Sequence, residues 1–121
     1  MDLPKRHNFK KLKIWLMGVD IANDVYTISA EFPQFEMYGL KSQMNRSSIS
    51  IPSNIAEGSS RSDKSFIHFL DISLGSSYEL QTQLILAKSR AYIEDEKASE
   101  LEEKIENFQR ATMIFQNTLK S

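Results

Sequence analysis

Apolar residues recur every three or four positions along most of the chain, and no segment alternates apolar and polar residues as a half-buried β-strand does. This period is typical of amphipathic α-helices and predicts an all-α protein. Pro33 cannot continue a helix, and Gly58 is a favourable helix stop. Four helices with short connections predict an antiparallel up-and-down four-helix bundle. The predicted helices cover about residues 9–30, 40–57, 63–92 and 95–119.

Helix one has two neighbouring apolar rows. The first row comprises Leu12, Trp15, Leu16, Val19, Ala22 and Tyr26. The second row comprises Ile14, Met17, Ile21, Val25 and Ile28. Together they make an apolar face wider than one contact with a core requires.

Helix three is also apolar on more than one side. Its main row comprises Phe66, Leu70, Ser73, Leu80, Leu84 and Ala87. Since one side of a helix faces the core of a 121-residue monomer, the surplus predicts a homo-oligomer. Seven residues of helices one and three are candidates for the interface between subunits: Ile14, Met17, Ile21, Ile67, Leu74, Tyr78 and Ile85.

Helix two contains Pro52, which frees the carbonyl of Ser48 and predicts a kink. Polar residues surround this proline, and others cluster in the middle of helix three. Four of them are predicted to form a structural polar network between the helices: Asn54, Glu57, Glu79 and Gln83. A ligand site at the same place is the alternative interpretation.

Helix four is the most regular amphipathic helix of the chain. Its apolar face comprises Ala98, Leu101, Ile105, Phe108, Thr112, Phe115 and Leu119. The other side consists of Glu, Lys, Gln and Asn residues, and we predict that it faces solvent.

Charge is distributed unevenly along a chain whose formal net charge is −1. Residues 1–13 carry five Lys or Arg against one Asp, whereas residues 94–106 carry seven acids against two lysines. The sequence therefore predicts a dipolar surface, which would favour solubility and head-to-tail packing between subunits.

The residue inventory argues against catalysis. The chain has no cysteine, which excludes disulfides, thiolate nucleophiles and cysteine-bound zinc. His68 lies three residues before Asp71, but no matching nucleophile accompanies the pair. The sequence lacks the Glu-x-x-His pairs of di-iron bundles, the ligand order of an EF-hand and a glycine-rich phosphate loop. We therefore expect a protein that is not an enzyme, with no metal ion and no cofactor.

The length of 121 residues suits one ordinary domain. We predict a flexible basic lead-in over residues 1–8 and a single four-helix bundle domain over residues 9–121. The chain shows neither the apolar segment of a signal peptide nor the run of about 20 apolar residues that spans a bilayer. A cytoplasmic location without a membrane partner is expected.

Two blocks of the sequence carry a family resemblance. The stretch 38–58, with its run Ser-Ile-Pro-Ser-Asn-Ile-Ala-Glu-Gly, resembles the signature of the four-helix bundle proteins encoded in 23S ribosomal RNA intervening sequences. A second block agrees with it: Phe66, Phe69-Leu70, Gly75-Ser76, Glu79-Leu80 and Thr82-Gln83-Leu84. The resemblance extends over about residues 10–118. It implies an antiparallel four-helix bundle that assembles into a ring, typically a pentamer.

The resemblance also implies a connection with nucleic acid. The related accessory variability determinant of diversity-generating retroelements shares the fold and binds nucleic acid through a basic surface. The present chain departs from the family pattern at Asn45, where a basic residue often stands, so that only Arg46 remains. The isoelectric point of the chain is about 6.1. Together with the departure at Asn45, this value predicts weak binding of nucleic acid.

The leading hypothesis is an oligomeric scaffold that contacts nucleic acid, in particular ribosomal RNA, through a basic surface. Nine residues are candidates for that contact: Lys5, Arg6, Lys10, Lys11, Lys13, Lys41, Arg46, Arg61 and Lys64. The alternative is a protein–protein interaction module that has no nucleic-acid role, favoured by the surplus apolar rows of helix three and the acidic helix four.

Overall fold

The computed structural model describes residues 7–120 as an all-helical chain. The four α-helices are α1 (Lys13–Ser29), α2 (Leu40–Ser59), α3 (Asp63–Ser89) and α4 (Asp95–Thr118), and short 3-10 turns occupy Phe9–Lys11 and Gln34–Glu36. The prediction of an all-α four-helix bundle is confirmed. Within the described residues, no helix is both long and apolar enough to cross a membrane.

Contacts between helices show an antiparallel up-and-down arrangement. Between α2 and α3, Ser47 bonds to Glu79, and Ser50, further along α2, bonds to Ser76, an earlier residue of α3. Between α3 and α4, Gln109 bonds to Ser77 and Gln116 bonds to Asp71, an earlier residue of α3, so this pair is antiparallel too. Helix α1 packs against both α2 and α4. Each helix therefore lies beside its neighbour in sequence, and α4 closes the bundle against α1.

The predicted helix boundaries hold to within a few residues, with local differences. Helix α1 begins four residues later than predicted because Leu12 is extended, with φ −74° and ψ 128°. Gly58 does not end α2, which continues to Ser59. Helix α3 ends at Ser89, and Ala91 then adopts a positive φ of 60° that reverses the chain toward α4.

The core is formed by fully buried side chains from all four helices. The largest of them are Phe66, Phe108, Ile21, Met44, Ile51, Ile55, Leu70, Leu80, Leu84, Leu101, Ile105 and Val25. Burial of this kind is the main favourable term in folding. The core continues along the bundle to Phe32 and Ile93, which close it at the α1–α2 and α3–α4 connections.

Helix α1 uses the second of its predicted rows for the core. Ile14, Ile21 and Val25 are buried, whereas Leu16 and Tyr26 of the first row are 52% and 72% exposed. Gly18 lies on the buried side, where an added Cβ would be 3.1 Å from Ile51 Cγ2 and 3.3 Å from the nitrogen of Pro52. The absence of a side chain at Gly18 therefore lets α1 and α2 approach closely on this side.

Pro52 lies inside α2 and is buried against α1. The backbone next to Pro52 is bonded to α3, because the Ser73 hydroxyl donates to the carbonyl of Ile51 at 2.9 Å. The kink predicted at Pro52 stays a prediction.

The polar side of α4 is not uniformly exposed, which corrects the expectation for this helix. Gln109 and Gln116 are only 6% and 7% exposed. Gln109 Nε2 donates to Ser77 Oγ at 3.2 Å and to Gln81 Oε1 at 3.0 Å, and Gln116 Nε2 donates to the Asp71 carboxylate at 2.7 Å. The amide nitrogens of both glutamines therefore join α4 to α3 through buried hydrogen bonds.

The carboxylate of Glu36 fixes the start of α2. Its Oε1 accepts from the backbone N–H of Leu40 at 3.0 Å, and its Oε2 accepts from the Tyr92 hydroxyl at 2.9 Å. The bond from Leu40, followed by the bond from Tyr92, lowers the pKa of Glu36 below its ordinary value of 4.5. Both bonds favour the ionised form of the carboxylate. The bond from Tyr92 also ties the α1–α2 connector to the chain beyond α3.

The lowered pKa of Glu36 predicts loss of stability in acid. The stabilisation is fully present above pH 4.5 and declines as the pH falls below that value toward the folded pKa. We expect Glu36→Gln to lose this part of the pH dependence in urea unfolding measured from about pH 6 to about pH 3. Glu31→Gln, which removes an exposed carboxylate of the same connector, is the control and should retain the wild-type dependence. Parallel curves for Glu36→Gln and the wild type would contradict the prediction.

Candidate nucleic-acid interface

The antiparallel topology brings separate basic segments to one end of the bundle. The start of α1, the end of α2, the start of α3 and the end of α4 all meet there. We call this surface the basic end and define it by six exposed side chains: Lys10, Lys11, Lys13, Arg61, Lys64 and Lys120. Five of the nine residues predicted to contact nucleic acid are among them, and Lys120 was not predicted.

The segment that carries Lys10 and Lys11 is anchored on the bundle. Asn8 Oδ1 accepts from the backbone N–H of Lys10 at 3.2 Å, which caps the 3-10 turn. The ring of His7 lies 5.2 Å from that of Phe66 and 6.0 Å from that of Phe115. His7, a residue of the predicted lead-in, therefore contacts the bundle through its ring, whereas Asn8 caps the 3-10 turn. Residues 1–6 lie outside the described part of the chain.

Two acidic side chains share the basic end, and both already have partners. Arg61 Nη2 lies 2.9 Å from Glu57 Oε1, and His7 Nε2 lies 3.7 Å from Asp63 Oδ1. The guanidinium of Arg61 also lies 5.1 Å above the ring of Phe69. Among residues 7–120, none of the five lysines of the basic end forms a salt bridge. No carboxylate within residues 7–120 therefore neutralises these lysines, and their charges face solvent.

The remaining predicted basic residues are not part of this surface. Lys41 lies in the first turn of α2, at the opposite end of the bundle, and Arg46 lies between the two ends beside Glu79. Lys5 and Arg6 lie outside the described residues. The structure therefore divides the nine candidates instead of placing them on one patch.

Acidic residues concentrate away from the basic end. The acidic stretch of α4 starts at the opposite end of the bundle, with Glu94, Asp95 and Glu96. Lys104, within this stretch, forms salt bridges with two aspartates of α1. Its Nζ lies 2.9 Å from Asp20 Oδ2 and 2.7 Å from Asp24 Oδ2. Asp24 and then Asp20 raise the pKa of Lys104 above its ordinary value. The molecule therefore has a dipolar charge distribution along the bundle axis, which orients a charged partner during approach.

The four residues predicted to form one polar network lie in separate interactions. Asn54 donates within α2 to the carbonyl of Ser50 at 2.8 Å, and exposed Glu57 pairs with Arg61. Glu79 accepts from Ser47, whereas Gln83 Oε1 is buried without a hydrogen-bond partner.

The bonds that do cross between α2 and α3 come mainly from serines. They are Ser47 to Glu79 at 2.5 Å, Ser50 with Ser76 at 2.8 Å and Ser73 to the carbonyl of Ile51 at 2.9 Å. Short side chains on both helices let the backbones approach, so the contacts are made by hydroxyls and not by the longer amides. The small residues in these helices were the sequence signal for this close contact.

The seven candidates for a subunit interface also separate. Ile14, Ile21 and Leu74 are 4%, 1% and 8% exposed, so their assignment to an exposed interface was wrong. Met17 packs on the core, and Ile67 is half-buried. Tyr78 and Ile85 remain 49% and 51% exposed. They lie seven residues apart, on the same side of α3.

His68 and Asp71 do not form an oriented pair. Asp71 Oδ1 accepts from Gln116 at 2.7 Å, and the exposed imidazole of His68 lies 5.7 Å from the ring of Phe69. The carboxylate is therefore used for helix packing.

Comparisons with known proteins agree with this architecture. The sequence profile of the 23S rRNA-intervening sequence protein family matches residues 10–113. A crystal structure of a protein of unknown function from the S23 ribosomal protein family of Bacteroides thetaiotaomicron is similar to this chain, with a TM-score of 0.76 at 20% sequence identity. The similarity covers 85% of this chain and 97% of that chain, and it shows the shared fold.

A comparison with curated proteins finds no match. The family profile, by contrast, extends from the 3-10 turn before α1 to the last turns of α4. The protein therefore belongs to the 23S rRNA-intervening sequence protein family.

Proposed function

We propose that the protein is a non-enzymatic cytoplasmic scaffold whose basic end binds the phosphates of structured ribosomal RNA. The observation that carries the proposal is the convergence of Lys10, Lys11, Lys13, Lys64 and Lys120 at one end of the bundle without salt bridges inside residues 7–120. Clustered, unpaired lysines are the electrostatic footprint of phosphate binding. The acidic opposite end would keep the molecule in one orientation on the RNA.

Weak binding by one chain is compatible with this function if several copies act together. We propose a ring of identical subunits, a pentamer, which repeats the basic end and raises the total affinity through multivalency. Helix α3 supports self-association, because its exposed apolar side chains outnumber those of any other helix within residues 7–120. They are Ile72, Tyr78, Ile85 and Leu86.

Neutralising two lysines of the basic end tests the RNA contact. In fluorescence anisotropy with 23S ribosomal RNA fragments, we expect Lys10→Gln/Lys11→Gln to weaken binding and to reduce the slope of log affinity against log salt by about 2, since each phosphate contact contributes roughly 0.9. The matched control is Lys88→Gln/Lys97→Gln, which removes the same charge at the opposite end. Equal slopes for the two variants, or no wild-type binding at about 50 mM salt, would contradict the proposal.

The exposed apolar side chains of α3 favour a second candidate function, a protein-interaction module without nucleic acid. A protein partner that remains bound after nuclease treatment, together with absence of RNA binding, would support this function. The self-association surface itself is shared by both candidates and has a separate test.

A single charge on α3 is expected to prevent assembly. Ile85→Lys places an ammonium on the side of α3 that carries Tyr78, where burial between subunits would be costly. Multi-angle light scattering at micromolar concentration should give an oligomer for the wild type and a monomer for Ile85→Lys. Ile114→Lys, at an isoleucine of α4 that is 67% exposed, serves as the control and should leave the mass unchanged. A monomeric wild type would refute assembly without deciding RNA binding.

A further inference from the structure

A polar cleft opens between α2 and α3, away from the basic end. Its volume is about 240 Å³, and its walls are Gln43, Arg46, Glu79 and Gln83. Pockets for drug-sized ligands begin at about 300 Å³, so this cleft suits a smaller molecule. The RNA contact proposed above uses none of these four residues.

The two charged residues of the cleft face the same space without pairing with each other. Glu79 Oε1 accepts from the Ser47 hydroxyl at 2.5 Å, and this bond holds the carboxylate in place while Oε2 is left for another donor. Within the described residues, the guanidinium of Arg46 has neither a salt bridge nor a hydrogen bond to a side chain. The cleft therefore presents one cation and one carboxylate to whatever enters it.

Gln83 gives a second and independent indication of a ligand. The residue is only 7% exposed, and its Oε1 is buried without a hydrogen-bond partner. Buried polar atoms are almost always bonded, because an unmade hydrogen bond destabilises the folded state. Because Gln83 lines the cleft, a rotation of its amide about the last side-chain bond would turn the oxygen from its buried position toward a molecule bound there. A donor group in the cleft would then complete the bonding of Gln83.

We propose that this cleft binds a small zwitterion of the α-amino-acid type. The ligand carboxylate pairs with the Arg46 guanidinium in a two-pronged contact, and the ligand ammonium donates to Glu79 Oε2 and to Gln83 Oε1. An anion alone would be repelled by Glu79, and a cation alone by Arg46, whereas a zwitterion pairs both charges. Among residues 7–120, no aromatic side chain lines the cleft, which disfavours a nucleobase, since bases bind by stacking.

Chemically matched probes test the charge requirement. The full chain, labelled with ¹⁵N, is titrated with glycine, L-serine, L-glutamine and L-glutamate while the side-chain amide signals of Gln43 and Gln83 are followed. At least one amino acid should shift these signals. Its N-acetyl form, which lacks the ammonium, and its amide, which lacks the carboxylate, should each bind at least tenfold more weakly.

Variants of the cleft separate ligand binding from folding. Arg46→Gln and Glu79→Gln change exposed side chains, and each should weaken binding at least tenfold while the melting temperature stays near that of the wild type. Gln83→Leu should abolish binding and raise the melting temperature, because it removes the unbonded oxygen. Lys10→Gln/Lys11→Gln should leave amino-acid binding unchanged, so this site and the RNA contact can fail separately.

Three results would overturn the proposal. The first is the absence of any signal shift with the four amino acids at concentrations up to about 10 mM. At that concentration, a ligand with a dissociation constant of about 1 mM would occupy most of the protein. The second is equal binding of the N-acetyl or amide forms, which would remove the need for a zwitterion. The third is unchanged affinity in Glu79→Gln or Arg46→Gln, which would place the ligand elsewhere.

Discussion

Replacing Phe66 with alanine is expected to lower the free energy of unfolding by about 3–5 kcal/mol. The side chain is fully buried, and its ring lies 5.2 Å from that of His7 and 5.5 Å from that of Phe115. Truncation removes these apolar contacts and leaves a cavity where α2, α3 and the segment before α1 meet. Urea unfolding followed by circular dichroism measures the difference.

An exposed aromatic residue provides the control for Phe66. Tyr38 is 90% exposed, so Tyr38→Ala should change the free energy of unfolding by no more than about 0.5 kcal/mol. Phe66→Leu retains part of the buried volume and should lose an intermediate amount, which gives a measurable value if the alanine variant does not fold. Equal losses for Phe66→Ala and Tyr38→Ala would show that Phe66 is not a core residue.

Replacing Gly58 with alanine is expected to destabilise the bundle by about 1–3 kcal/mol, although alanine favours helices. A Cβ at this position would lie 2.7 Å from Phe66 Cδ1 and 2.7 Å from Phe69 Cβ. Since Phe66 is fully buried and the Cβ of Phe69 is fixed to its backbone, α3 would have to move away from α2. Thermal and urea unfolding both measure the effect.

Gly75 is a matched glycine on the neighbouring helix. It lies inside α3, and an added Cβ would meet no heavy atom within 4 Å. Gly75→Ala should therefore raise the free energy of unfolding by about 0.5–1 kcal/mol through helix propensity alone. Opposite signs for the two substitutions are the expected result, whereas stabilisation by both would contradict the close packing at Gly58.

The sequence predicted the helices well because their apolar period is long and uninterrupted. Residues such as Leu70, Leu84, Leu101 and Phe108 were placed in core rows and are buried. Helix α1 was harder, because its two rows are both apolar and both at helical spacing. Gly18 decides between them, since the missing side chain permits close contact with Ile51 on one side only. That contact depends on a partner helix and is not visible in the hydrophobic pattern of α1.

The functional residues were predicted less completely, for a geometric reason. Lys41 and Lys64 were both candidates for the basic surface, but Lys41 lies in the first turn of α2 and Lys64 follows its end. Helix α2 is about 30 Å long at 1.5 Å per residue, so it holds the two charges at opposite ends of the bundle. Lys13, Lys64 and Lys120, by contrast, come from distant parts of the chain and share one end. The sequence provided the basic residues, and the antiparallel topology selected which of them act together.

Gln83, which lines the cleft between α2 and α3, illustrates the same division. Its residue type and place in the middle of helix three indicated a polar interior. The sequence could not show that serines would make the bonds between α2 and α3 and leave the Gln83 oxygen unbonded.

By itself, the sequence determined the helices and the antiparallel bundle, because apolar period and chain breakers are local. Only the tertiary structure decided the core row of α1, the basic end and the polar cleft, because each depends on side chains that approach from different helices.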